Sequence, residues 1–152
     1  MTNVLFLCTG NSARSIMAES YLNAAAQGVT AYSAGSSPTG TPNPFAIQTL
    51  EAAGVGVHTG DGGAPASKSW DVFAAPGAPF IDVVITVCDN AAGEVCPVWP
   101  TKPGGLAPQT RHWSFPDPAA VGGSDADKLA AFNRVFGDIR QQIDGFVSEL
   151  SA

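Results

Sequence analysis

Short, almost wholly apolar runs alternate along this chain with segments patterned for helices, and that alternation restricts the fold more than any other feature. Residues 3–8 (NVLFLC) read as a fully buried strand. The run SIMAESYLNAAAQ, from 15 to 27, is rich in helix formers and meets Gly28, a stop signal. Residues 29–35 (VTAYSAG) predict a second strand closed by glycine. Residues 43–54 predict a helix with Asn43 as cap, Pro44 at its first position and Gly54 at its end. A short helix is predicted over 67–75, a third buried strand over 82–88 (DVVITVC) and a fourth over 111–115 (RHWSF). From about Asp125 to Leu150, Leu129, Phe132, Val135, Phe136, Ile139, Ile143, Phe146, Val147 and Leu150 recur at spacings of three and four, the signature of one amphipathic helix. Strands apolar on both faces, separated by helices, belong in a parallel sheet covered on both sides. The expected fold is therefore α/β: a single-domain, three-layer sandwich over residues 1–152, with a four-stranded parallel sheet and helices on both faces. No linker, repeat or charge block divides the chain.

Ligands of doubly wound sheets sit at the carboxyl ends of the strands, where strand order reverses. Cys8 and Cys88 each end a predicted strand, so both are expected on that rim. After Cys8 come Thr9, Gly10, Asn11, Ser12, Ala13, Arg14 and Ser15, and then the helix. A loop between a strand and a helix N-terminus aims several backbone N–H groups at one point, where the helix dipole also favours negative charge. Gly10 permits an unusual backbone conformation, and Asn11, Ser12 and Ser15 are small groups able to brace it. Arg14 offers a planar fork to two oxygens of a tetrahedral oxyanion. The same field favours the thiolate of Cys8, the nucleophilic form. A cysteine that merely ends a buried strand is the plainer alternative, but it accounts for neither the glycine nor the arginine.

Charge and cysteine count narrow the rest. The 152 residues carry a net charge of −6 with only seven Lys and Arg, so no basic face exists for nucleic acid or an anionic membrane. With 45 % apolar residues, disorder is not expected. No run approaches the ~20 apolar residues of a membrane span, and Met1-Thr2-Asn3 lacks the basic region of a signal peptide. A cytoplasmic protein is expected. Three cysteines, Cys8, Cys88 and Cys96, make no disulfide framework, and their spacing with only His58 and His112 to help is poor for zinc. Both histidines, and Trp70, Trp99 and Trp113, are expected in structural or surface roles.

The stretch FLCTGNSARSIMAE resembles the phosphate-binding loop of the low-molecular-weight tyrosine phosphatase family, and more closely that of its arsenate reductase branch. The likeness continues through YSAG, VVITVCDNAAGEVCPVWP and HWSFPDPA, and so covers most of the chain in order. It implies that Cys8 is the nucleophile, that the loop from Thr9 to Ser15 cradles the oxyanion, that Arg14 clamps it, and that Asn11 and Ser15 hold the loop and tune the thiolate. Asp117, in FPDPA, matches the family's general acid.

A phosphatase of this kind needs one cysteine and one acid. An arsenate reductase needs electrons as well, and the resemblance implies a relay: Cys8 attacks arsenic, Cys88 attacks Cys8 and expels arsenite, and Cys96 takes over the disulfide. A Cys88–Cys96 bond requires Cα atoms about 4.4–6.8 Å apart. Nine residues of straight helix would hold the ends about 12 Å apart, so this Gly- and Pro-containing segment must loop. Phosphatases of the fold typically follow Asp-Pro with an aromatic wall, where this chain has Ala119. A small inorganic oxyanion is therefore expected as substrate. Arsenate reduction is the first reading, a small-substrate or tyrosine phosphatase the second, and a non-catalytic oxyanion-binding regulator the third. The resemblance further implies phosphate or sulfate as stand-ins for arsenate, and thioredoxin or glutathione with glutaredoxin as reductant. No tightly bound cofactor is expected beyond a potassium ion on oxygens of Asn11, Glu19, Ser33, Ser69 and Asp71. A monomer is expected.

Overall fold

The computed structural model describes residues 2–87 and 108–151. Strand β1 (Thr2–Leu7) leads through the loop into helix α1 (Arg14–Ala25), followed by β2 (Val29–Ala34), α2 (Pro44–Ala52), β3 (Val83–Thr86), β4 (Gln109–His112) and α3 (Asp125–Ser151). Short 3-10 helices lie at Trp70–Phe73 and Pro118–Ala120. The four strands form one parallel sheet in the order β2-β1-β3-β4. Strand order reverses beside β1, which places the ligand crevice where β1 gives way to Cys8.

Alternation along β1 divides the core. Val4 and Phe6 point into a cluster with Met17, Ala18 and Leu22 of α1, Ala46 and Leu50 of α2, and Phe132, Phe136, Ile139 and Ile143 of α3. Leu5 and Leu7 point the other way, against Val84, Ile81 and Phe73, with Trp70 at the margin. The three α-helices thus cover one face, and the 3-10 helix at Trp70–Phe73 covers the other. Full burial of each such side chain stabilises the fold by roughly 1.5–3 kcal/mol.

Local signals act as expected at the helix ends. Asn43 Oδ1 accepts from the Phe45 N–H, with Pro44 in the first turn. Ser124 and Asp127 exchange side-chain-to-backbone hydrogen bonds at 3.2 and 3.1 Å to start α3. Helix α1 differs. Ala13 precedes it without a side-chain cap, and no acid stands in its first turn. Its N-terminal N–H groups and dipole are therefore left to whatever occupies the loop.

Two elements lie elsewhere than predicted. Strand β4 covers 109–112, not 111–115, because an edge strand with exposed side chains carries no apolar signature. Trp113 and Phe115 are buried just beyond it, Trp113 against the rings of Phe6 and Phe146. The helix predicted over 67–75 shrinks to the 3-10 turn at 70–73. Residues before it are extended, because Ser69 pairs as a bridge with Gly35 and caps the turn through its hydroxyl.

Candidate active site

Residues 8–15 leave the carboxyl end of β1 as a ring whose carbonyls turn outward. The Thr9 carbonyl accepts from Ser37 N–H (3.0 Å), Gly10 from Thr39 N–H (3.0 Å), Ser12 from Asn43 N–H (2.7 Å) and Ala13 from Met17 N–H (2.9 Å). In a trans peptide the N–H points opposite to the C=O. The N–H groups that follow these carbonyls therefore face inward, and this produces an anion nest.

The ring is held from behind. Asn11 has φ +45°, in the left-handed region that asparagine tolerates better than most residues. Its side chain is fully buried, with Oδ1 accepting from Lys68 N–H (2.8 Å) and Nδ2 donating to Ser15 Oγ (2.9 Å). Asn11 and Ser15 thus lie beneath the floor and shape it. Gly35 presses on the same place: a Cβ there would sit 2.4 Å from the Thr9 carbonyl oxygen and 2.5 Å from that of Cys8.

A cavity of about 250 Å³ opens above the ring. Cys8, Thr9, Gly10, Ser12, Ala13 and Arg14 form its floor, and Thr39, Asp117 and Ala119 its walls. Cys8 is 6 % exposed and lines this opening. The Arg14 guanidinium donates to the Phe115 carbonyl through Nη1 (2.9 Å), while Nη2 stands 3.8 Å from Asp117 Oδ2. The segment after β4 therefore sets the direction of the fork and brings the acid to the same mouth. Asp117 Oδ1 accepts from Ala119 N–H (2.9 Å), which leaves Oδ2 toward the cavity. Ala119 presents only a methyl group to the wall.

Cys8, Arg14 and Asp117 thus meet, with the backbone from Thr9 to Ser15 around them. Cys88 and Cys96, and Trp99, lie outside the described residues. Strand β3 runs in register with β1, Leu7 beside Thr86, and Val87 N–H donates to the Leu7 carbonyl. The described residues of this stretch therefore end with Val87 on the rim where Cys8 stands. Thr39 and Gly35 carry no catalytic signature in sequence. The glycine in YSAG, directly after a strand, is the one cue to a close backbone approach.

Four of the five side chains expected to hold potassium, those of Asn11, Glu19, Ser33 and Ser69, are engaged with the protein. Glu19, 2 % exposed, accepts from Ser33 Oγ through Oε1 (2.7 Å) and from Gly60 N–H through Oε2 (3.1 Å). Asn11 Oδ1 is taken by Lys68, Ser69 Oγ accepts from Asp71 N–H (3.2 Å), and Asp71 is exposed. The charge of Lys68 also acts on Glu19. This set fits a hydrogen-bonded core with a lysine counter-charge better than a potassium cage.

Burial pushes the Glu19 carboxyl above its ordinary value of 4.5, against the opposing pull of Lys68, Ser33 and Gly60. Between 4.5 and that raised value the folded chain binds more protons at Glu19 than the unfolded chain, so stability falls as pH rises through the interval. Glutamine cannot ionise, yet its amide can still meet Ser33 and Gly60. The stability of the parent relative to Glu19→Gln should therefore decline as pH rises above 4.5, as read from urea melts in a pH series. A difference that stays flat or grows would contradict the assignment.

His58 lies exposed, with Nε2 2.8 Å from the Val55 carbonyl, and His112 Nδ1 lies 2.7 Å from Thr86 Oγ1. Neither lines the cavity. Among the described residues no helix is long and apolar enough to cross a membrane.

Residues 3–152 match the family model described as low molecular weight phosphotyrosine protein phosphatase. An arsenate reductase of Halalkalibacterium halodurans is 34 % identical over 147 residues, covering 94 % of this chain and 93 % of the relative. A solved arsenate reductase in the phosphate binding state superposes with a TM-score of 0.70 at 26 % identity, covering 98 % of both chains. A tyrosine phosphatase of Erwinia amylovora has the same fold, with a TM-score of 0.74 at 19 % identity over 99 % of this chain and 94 % of the other. Reductases and phosphatases are thus found on one scaffold, and the residues around the cavity must separate them.

Proposed function

Because the chain belongs to the low molecular weight phosphotyrosine protein phosphatase family, we propose that it is an arsenate reductase whose nucleophile is Cys8. The observation that carries the reading is the small cavity with Cys8 in its floor, inward N–H groups around it, Arg14 and Asp117 at its mouth, and only Ala119 where a phenol ring would need a wall. A tetrahedral dianion fits within such a space, and its charge meets the loop amides, the uncapped start of α1 and the Arg14 fork.

In the proposed reaction the Cys8 thiolate attacks arsenic, and an As–O bond breaks with its oxygen leaving as water, protonated by Asp117. The thiolate of Cys88 then attacks Cys8 Sγ. The S–S bond forms as the As–S bond breaks, and that electron pair stays on arsenic, which departs as arsenite. Cys96 next attacks Cys88 Sγ, restoring the Cys8 thiolate and leaving a Cys88–Cys96 disulfide. A thiol reductant, either the dithiol of thioredoxin or two molecules of glutathione with glutaredoxin, returns the two electrons and carries away the disulfide. The relay draws support from Val87, which bonds to Leu7 on that rim one residue before Cys88 in the sequence, and from the arsenate reductases among the relatives. We place the protein in the cytoplasm, where thiols stay reduced.

Arsenite release from the reduced chain tests the reading. With thioredoxin as the only reductant, the parent should turn over repeatedly, whereas Cys96→Ser should release a single equivalent and stop as the Cys8–Cys88 disulfide. Full multiple turnover by Cys96→Ser would remove the relay. Phosphate release from an aryl phosphate, with no arsenite from arsenate, would favour the phosphatase, which needs only Cys8, Arg14 and Asp117.

A further inference from the structure

We propose that Ser67 is a positioning residue for the reaction: it locks the peptide between Gly10 and Asn11 so that the Asn11 N–H faces the Cys8 side of the loop. The proposal rests on Cys8 as the nucleophile but not on arsenate as the substrate. Ser67 Oγ donates to the Gly10 carbonyl at 2.9 Å, accepts from Gly40 N–H at 3.2 Å and stands 3.4 Å from Thr39 Oγ1. One hydroxyl thus joins three separate pieces of chain: the anion loop, the segment carrying the cavity wall Thr39, and the extended stretch before the 3-10 turn. The neighbouring Lys68 N–H fixes the Asn11 side chain from the same stretch.

The Gly10–Asn11 peptide is the one that most needs such a lock. It joins a glycine to a residue at φ +45°, and the central peptide of such a pair can rotate as a unit, as it does between type I and type II turns. Rotation would replace the inward N–H by a carbonyl oxygen, whose negative end would oppose both the thiolate and a bound anion. Thr39 N–H alone holds the Gly10 carbonyl at 3.0 Å, but Thr39 belongs to an exposed loop. Ser67 supplies the second donor and ties that loop through Gly40.

The test uses the full chain with Cys88→Ser and Cys96→Ser, so that alkylation reports Cys8 alone. In that background Ser67→Ala should raise the pH midpoint of Cys8 alkylation by iodoacetamide by about one unit, a tenfold loss of thiolate below the midpoint. It should also weaken protection of Cys8 by inorganic phosphate. Ser67→Thr keeps the hydroxyl and should restore both. An unchanged midpoint and unchanged phosphate protection in Ser67→Ala, even with a lower melting temperature, would overturn the proposal. So would a Ser67→Thr variant that behaves as Ser67→Ala does. If Ser67→Ala shows the shifted midpoint while the parent with all three cysteines releases no arsenite, Ser67 keeps its role and the reductase is removed instead.

Discussion

Cys8→Ser should abolish arsenite release while leaving the chain folded and still able to bind phosphate. The expected loss is at least about 10⁴-fold, the scale on which covalent catalysis fails when its nucleophile is removed. The serine hydroxyl stays protonated where a thiolate would form, and its oxygen cannot enter a disulfide, so both the adduct and its reductive release are lost. The binding site should survive, because the inward N–H groups are set by carbonyl contacts to Ser37, Thr39 and Asn43 and by the Asn11 side chain, none of which involves sulfur. Arsenite release and phosphate binding measured on the same preparation separate the two effects. Arsenite release by Cys8→Ser at a rate near the parent's would exclude Cys8 as nucleophile, and loss of phosphate binding would mean that the sulfur helps to hold the loop.

The second large effect is expected far from the reacting atoms in sequence. Gly35→Ala would place a Cβ 2.4 and 2.5 Å from two carbonyl oxygens of the loop and 3.0 Å from the Asn11 nitrogen. All three are backbone atoms, so no side chain can swing away. Either the loop shifts or the end of β2 separates from β1, since Cys8 N–H donates to the Ala34 carbonyl at 3.2 Å beside it. Overpacking of this kind costs about 1–3 kcal/mol of stability, and a displaced nucleophile loop on the order of 10²-fold in kcat/KM. Urea melts and arsenite release measure the two losses. Gly137→Ala serves as the control: it lies exposed in α3 with open space around its Cα, and alanine there should be neutral or stabilising. If Gly35→Ala matched that control in stability and rate, the close approach would have no role in shaping the site.

Much of the fold is legible because its causes are local. Apolar runs mark β1, β2 and β3, Asn43-Pro44 starts α2, and the three-and-four spacing of α3 runs along its buried face as far as Phe146, with Leu150 exposed beyond it. Strand β4 is expected two to three residues too late for an equally physical reason: at the sheet edge its residues face solvent, and the apolar Trp113 and Phe115 beside it come after the pairing ends. For the five residues expected around potassium the sequence supplies identities but not partners, and in the fold Glu19 is answered by Ser33, Gly60 and the charge of Lys68.

From residue types in order, the sequence by itself determined that a strand delivers Cys8 to a small polar loop, that Arg14 follows at clamping distance along the chain, and that the layers are strand and helix in alternation. Those are consequences of hydrophobic period, glycine placement and side-chain chemistry, each of which acts within a few residues. What only the tertiary structure decided is the orientation of the loop peptides. Donors for the outward carbonyls come from positions 37, 39, 43 and 67, and the close pressure comes from Gly35. A peptide plane turns on the partner that meets its carbonyl, and for Thr9, Gly10 and Ser12 that partner lies 28 to 57 residues away along the chain.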